Sequence, residues 1–187
     1  MSETHGRRAA SAPAVVSSRS IYEGKIVKLR VDEIALPQGG NATREVVEHP
    51  GAVVIAAVDA CGEVYLVSQY RHAVGRDLLE LPAGALEEGE EPLFAAQREL
   101  GEEAGLAAQE WTALGCFYSS PGFANERLYA FLARGLSSVE SEPDFDEDLT
   151  VVKYPLDALL DHLADITDAK TLATLLLVRQ QLDAATR

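Results

Sequence analysis

Basic residues are scarce in this chain. Sixteen Lys and Arg stand against thirty Asp and Glu, giving a formal net charge of -14 and a pI near 4.6. A nucleic-acid-binding surface needs a basic stripe to meet phosphates, and this balance argues against one. Cysteine is scarcer still. Cys61 and Cys116 are far apart and in no ligand spacing, so they read as reduced thiols rather than a disulfide framework or a metal site. Long apolar runs are also missing: the longest, residues 52–58, suits a core strand and falls far short of a membrane span. Arg7 and Arg8 are followed by no apolar segment, so residues 1–20 do not read as a secretory leader, and the expected compartment is the cytoplasm. No internal repeat and no linker rich in Pro, Gly or Ser divides the chain, and 187 residues suit one domain with a proper core.

What is abundant is acid, and residues 84–106, GALEEGEEPLFAAQRELGEEAGL, concentrate it in an ordered way. Pro92 suits the first turn of a helix, where its missing N–H would have no partner in any case. Gly105 suits the residue just past the end, where a left-handed backbone is needed. Between them Leu93, Ala96, Leu100 and Ala104 follow a helical period and predict a core-facing stripe. Beside it run Glu99, Glu102 and Glu103 at i, i+3 and i+4. For a helix alone this is unfavourable, because the like charges repel and face the negative end of the helix dipole. Each effect costs a few tenths to about 1 kcal/mol. A hard divalent cation reverses both penalties; a solvated acidic face is the plainer explanation.

Gly84, five residues, Glu90, seven residues, then Arg98-Glu99-Leu100-Gly101-Glu102-Glu103-Ala104-Gly105-Leu106 fills every fixed position of the Nudix box. The sequence therefore resembles the Nudix hydrolases. The resemblance implies an α/β/α sandwich with a mixed sheet, and hydrolysis of a nucleoside diphosphate linked to another group. It implies Mg²⁺ as cofactor, with Mn²⁺ or another divalent cation as alternatives. Glu99 and Glu103 would be the first metal ligands, Glu102 would share or bridge metals, and the backbone carbonyl of Ala83 would join them. Arg98 and Glu90 would orient these groups through charge-assisted hydrogen bonds. Gly101 occupies a free position of the motif, where Gly costs about 1 kcal/mol relative to Ala.

Ahead of the box, residues 70–76, YRHAVGR, form a basic cluster. Arg71 is a candidate phosphate or ribose contact, because its guanidinium matches phosphate oxygens in pairs; pairing with a surface Glu is the plainer role. His72 reads as structural. Glu80 is an acid inside an apolar strand and needs a partner, either Arg98 or the substrate. Downstream, residues 119–126, SSPGFANE, form a shaped loop, with Pro121 fifteen positions after Leu106. This setting is similar to the ADP-ribose pyrophosphatase branch. By that resemblance Glu126 contacts the ribose side of the substrate, Phe123 lies near it, and Arg44 also serves binding. Packing under the loop is the plainer role for Phe123.

Residues 140–148, ESEPDFDED, hold six carboxylates. A solvated loop is the compositional reading. By the resemblance, one acid here serves as catalytic base or extra metal ligand, with Glu147 the better match and Glu142 the second. The remaining elements follow from periodicity. Residues 1–20 are expected to fray, and residues 21–49 to form an antiparallel hairpin. Residues 50–187 would form the hydrolase domain, closing with helices over 155–166 and 167–185. The second of these has Thr167 as its cap and Leu172, Leu175, Leu176 and Val178 as apolar positions. A hairpin alone is marginal in water, and the resemblance implies that it joins two subunits into a homodimer. Other nucleotide substrates (a nucleotide sugar, a dinucleoside polyphosphate or NADH) and a non-catalytic nucleotide-binding regulator are the alternatives. The intact box speaks against the last.

Overall fold

The computed structural model describes residues 12–140 and 149–185. Its elements in chain order are β1 (Val15–Glu23), β2 (Lys28–Ala35), β3 (Asn41–Glu48), β4 (Ala52–Ala57), β5 (Glu63–Arg71), β6 (Arg76–Glu80), β7 (Ala83–Ala85), α1 (Pro92–Ala104), β8 (Leu106–Tyr118), β9 (Arg127–Ser138), β10 (Leu149–Pro155), α2 (Leu156–Asp161) and α3 (Ala169–Ala185). The chain divides into two compact units: Met1–His49 with Gly122–Asn125, and Pro50–Pro121 with Glu126–Arg187.

The first unit is a three-stranded antiparallel sheet in the order β1-β2-β3. Residues 15–20, expected to fray, lie in β1 instead; the first eleven residues lie outside the described range. β1 is held by pairing along β2, and Ser18 Oγ donates to Asp32 Oδ1 at 2.6 Å. The polarity that makes this segment look unstructured is what satisfies Asp32, which is 6% exposed. Arg30 also donates to both oxygens of Asp32, at 3.1 and 3.0 Å, and pairs with Glu48. The expected hairpin is thus the β2–β3 part of a wider sheet. Gly122–Asn125 joins this unit through Val47, whose N–H donates to the Phe123 carbonyl at 2.8 Å and whose carbonyl accepts from the Asn125 N–H at 3.1 Å.

The second unit is the α/β/α sandwich. One sheet runs β7-β4-β9-β8, with β4 and β9 parallel and the other pairs antiparallel; a second runs β10-β5-β6. Every residue of β4 is buried, as an apolar strand covered on both faces must be. Its alternation assigns the layers. Val53, Ile55 and Ala57 pack with Ala95, Ala96 and Leu100 of α1. Ala56 and Val58 pack instead with Leu156, Leu159 and Leu160 of α2 and Leu175 and Val178 of α3. α1 therefore covers one side of the sheet, and α2 and α3 the other.

Three local expectations are corrected. Leu93 is 38% exposed, and α1 buries Ala95, Ala96, Glu99, Leu100 and Glu103. The buried face is rotated so that two of the acids point inward. The first turn of α3 is held by Asp168, not Thr167: Asp168 Oδ2 accepts from the Thr171 N–H at 2.9 Å. Leu176 is 50% exposed, while Thr171 and Thr174 are fully buried. The helix expected over 155–166 is the six-residue α2 followed by a single 3-10 turn at Leu163–Asp165. Among the described residues, no helix is long and apolar enough to cross a membrane.

Candidate active site

The site begins where β6 ends. Pro82 passes the chain into β7, which pairs with β4 in the register Val54 to Ala83 and Val53 to Gly84. This short strand faces the inward side of α1. Pro92 starts the helix and Gly105 ends it in the left-handed conformation, φ 63°, with its N–H donating to the Gly101 carbonyl at 3.0 Å. Both ends are fixed, so the rotation of the helix is fixed, and with it the direction of its glutamates.

Glu103, 7% exposed, accepts the Ala83 N–H at 2.8 Å. Glu99, 8% exposed, lies against Gly84 so closely that a Cβ at residue 84 would sit 2.0 Å from its carboxylate. This explains the first glycine of the box: the acid takes the space a side chain would need. Gly101 has no such reason, since a Cβ there meets only the Leu106 carbonyl at 4.0 Å.

Arg98 organises the rest. Its Nε and Nη2 grip Glu90 at 3.0 Å each, its Nη1 reaches Glu99 at 2.7 Å and Glu102 at 2.9 Å, and Nη2 also donates to the Ala85 carbonyl at 3.1 Å. One guanidinium thus serves three carboxylates and a backbone acceptor. The hydrogen bonds to Glu90 raise the Arg98 pKa above its ordinary value, against the opposing effect of burial, with Glu99 adding to the rise. Glu90 is correspondingly held below the usual carboxylate range, first by Arg98, with burial opposing and the Glu87 N–H assisting. Its Oε2 accepts that N–H at 3.0 Å.

Among the described residues, no three His, Cys, Asp or Glu side chains form a ready-made metal cage. A hard divalent cation takes oxygen ligands and usually keeps several waters. The oxygens of Glu99, Glu102 and Glu103 are hard donors of the right kind, and the space at Gly84 is reserved for one of them.

Glu80 departs from expectation. It does not pair with Arg98: fully buried at 1% exposure, it accepts Arg71 Nε at 2.8 Å and Nη2 at 2.6 Å, and it also pairs with Lys170 of α3. Burial opposes its ionisation, but Arg71 and then Lys170 outweigh it and hold the carboxyl below its ordinary value. Arg71 therefore has a buried Glu as its partner, yet its side chain stays 37% exposed and it feels the charge of Glu103. Lys170 was not anticipated. The signal for it was the unpartnered acid in an apolar strand, which required a cation without indicating which one.

The other expected residues are distributed as follows. Glu126 is half-buried in the second unit, its carbonyl accepting the Ser119 N–H at 3.2 Å, and Pro121 is exposed in the same loop. Phe123 belongs to the first unit and is 59% exposed, so it is not packed under its loop. Arg44 also belongs to the first unit, exposed on β3, with Nη1 donating to the Thr43 carbonyl at 2.9 Å. Glu142 and Glu147 lie outside the described residues.

Comparisons with known proteins agree with this geometry. A family model described as the NUDIX domain matches residues 47–175, and one described as the nucleoside diphosphate sugar hydrolase N-terminal domain matches residues 14–47. An ADP-ribose pyrophosphatase of Bacillus subtilis (strain 168) is 43% identical over 160 residues, covering 83% of this chain and 86% of that protein. One of Mycobacterium tuberculosis is 46% identical over 144 residues, covering 75% and 70%. A methanol dehydrogenase activator of Bacillus methanolicus is 39% identical over 160 residues, covering 83% and 86%. Among solved structures, an ADP compounds hydrolase crystal structure superposes with a TM-score of 0.83 at 24% identity, over 92% of this chain and 95% of that one, which establishes likeness of fold. The complete box, the helix that turns its glutamates onto the β7 strand, and a domain match over most of the chain agree: this chain is a member of the Nudix hydrolase family.

Proposed function

We propose that the protein hydrolyses ADP-ribose to AMP and ribose 5-phosphate. The observation that carries the reaction class is the pair of buried carboxylates, Glu99 and Glu103, set by α1 against the glycine-bearing β7 turn. The substrate is supported by the two ADP-ribose pyrophosphatases at 43% and 46% identity and by Pro121 in its downstream loop. In the reaction a water oxygen bonds to one phosphorus of the diphosphate. The bridging oxygen leaves with the other phosphate, and protons are released as the two phosphate monoesters ionise.

Glu99 and Glu103, with Glu102 and the Ala83 carbonyl, would hold a divalent cation, Mg²⁺ in the first instance. When bound it would offset the diphosphate charge and lower the pKa of a water. Arg98 aims Glu99 and Glu102 through its Nη1, and Glu90 keeps Arg98 in place. Arg71 presents its exposed guanidinium edge to the anionic substrate, and Glu126 serves the ribose side. Cytoplasmic residence is supported by the free, exposed Cys61 and Cys116.

Homodimerisation through the N-terminal strands is part of this proposal. It is supported by exposed Val15, Val16, Ile21 and Tyr22 of β1, with exposed Ile26 and Val27 in the turn that follows. Sedimentation over a dilution series measures it, and a monomer at every concentration removes it.

The test of the reaction is incubation with ADP-ribose and Mg²⁺, with an EDTA control, followed by quantitation of AMP. Metal-dependent AMP is expected. If a nucleotide sugar, a dinucleoside polyphosphate or NADH is clearly preferred, the substrate assignment is wrong while the family stands.

A further inference from the structure

Outside the Nudix box a second ionic cluster joins α3 to the site. Glu80 of β6 shares its Oε2 between Arg71 Nη2 and Lys170. Lys170 lies 3.1 Å from Asp168 Oδ2, which also accepts the Thr171 hydroxyl at 2.6 Å. The same hydroxyl accepts the Leu81 N–H at 2.8 Å, two residues before Ala83, whose N–H holds Glu103. Two cations and two carboxylates therefore form a neutral group by residue count.

We propose that Lys170 is a positioning residue for substrate binding: by neutralising Glu80 it leaves Arg71 able to take an oxygen of the diphosphate. The inference rests on the reading that Arg71 contacts that diphosphate. Of the five N–H groups of Arg71, two are used on Glu80, and among the described residues the other three meet no further acceptor. The exposed part of its side chain is on a group that already feels Glu103. Without Lys170 the cluster gains one negative charge in a buried place. That charge draws Arg71 onto Glu80 and repels an incoming polyanion. Lys170 touches no substrate in this scheme; it acts through Glu80 and Arg71.

The test is steady-state kinetics on the full chain with ADP-ribose at saturating Mg²⁺. Lys170→Met should raise KM about tenfold while kcat stays within about twofold, the pattern of a binding interaction made equally in ground and transition states. Lys170→Arg should restore KM, and so should the double variant Glu80→Gln/Lys170→Met, which makes the group neutral again. A purely structural role would lower kcat through a smaller folded fraction and leave KM unchanged. That outcome overturns the proposal, as does a double variant no better than Lys170→Met. Arg71→Lys separates the two layers of the argument. If it leaves KM unchanged, both the Arg71 reading and the Lys170 inference fall. If it raises KM while Lys170→Met does not, only the inference about Lys170 falls.

Discussion

Two ionic clusters of the second unit, around Arg98 and around Glu80, are built in opposite ways. Around Arg98 one cation meets three carboxylates, and all the partners come from residues 85–102. Around Glu80 two cations meet two carboxylates, and the partners come from residues 71, 80, 168 and 170. The first is a local cluster with excess negative charge, the second a long-range cluster in balance. Excess charge of one sign at the inward face of a helix is a cost in folding, of a kind that a cationic ligand removes. Balanced charge in the core carries no such cost and fixes the elements that meet there; on the proposed reading it meets the substrate only through the exposed part of Arg71.

The largest test of this contrast is Glu103→Gln. It should lower turnover by about 10²-fold or more, since even the outer partners of metal ligands cost about 10- to 100-fold when removed. Metal binding, read by calorimetry, should vanish, while Tm should hold or rise because repulsion within α1 is relieved. Full turnover with Glu103→Gln would remove the metal role from Glu103. Gly84→Ala comes next. Its Cβ meets the Glu99 carboxylate at 2.0 Å, so either the acid moves or the turn does. The expected cost is about 1–3 kcal/mol in denaturant unfolding, with activity falling in parallel. A variant with unchanged stability and activity would mean that Glu99 is not seated against this turn.

The balanced cluster should respond in stability first. Glu80→Gln should destabilise by about 1–3 kcal/mol near neutral pH, less than a fully buried pair because Arg71 is 37% exposed. The sign of its pH dependence follows from linkage. The folded-state pKa of Glu80 lies below its ordinary 4.5, so its contribution is present above that value and is lost as pH falls through the folded value. The gap in Tm between wild type and Glu80→Gln should therefore narrow as the pH is taken down from neutral to below 4.5. A gap independent of pH would show that the charge of Glu80 is not what matters. The smallest effect is Gly101→Ala, which adds a Cβ into open space on α1 and should stabilise by about 1 kcal/mol with activity unchanged. A loss of activity there would give Gly101 a purpose that its surroundings do not show.

The helical part of the local cluster could be read because its geometry is that of a single helix, while Glu90, which lies before α1, was legible from the box spacing. Arg98 and Glu102 are one turn apart, and Glu99 and Glu103 follow the same period, so spacing alone brings them together. The inward rotation of α1 could not be read. Leu93 and Ala95 compete for the core, and the small Ala95 wins because β4 packs close beneath it. The partner of Glu80 was illegible for a different reason: ninety residues separate it from Lys170, and several cations satisfy the same requirement. β1 was missed because its serines and charges carry no apolar alternation. Their partners are the polar residues of β2, which no local pattern reveals.

The sequence by itself determined the family, the helix with both its ends and the set of acids at the site. Each depends on residue types at fixed short spacing, where backbone geometry leaves one arrangement. Tertiary structure decided which acids face inward, why residue 84 must be glycine and which cation holds Glu80. It also decided that β1 completes the N-terminal sheet. These depend on packing between elements remote in sequence, where space and charge are shared among partners that no local pattern names.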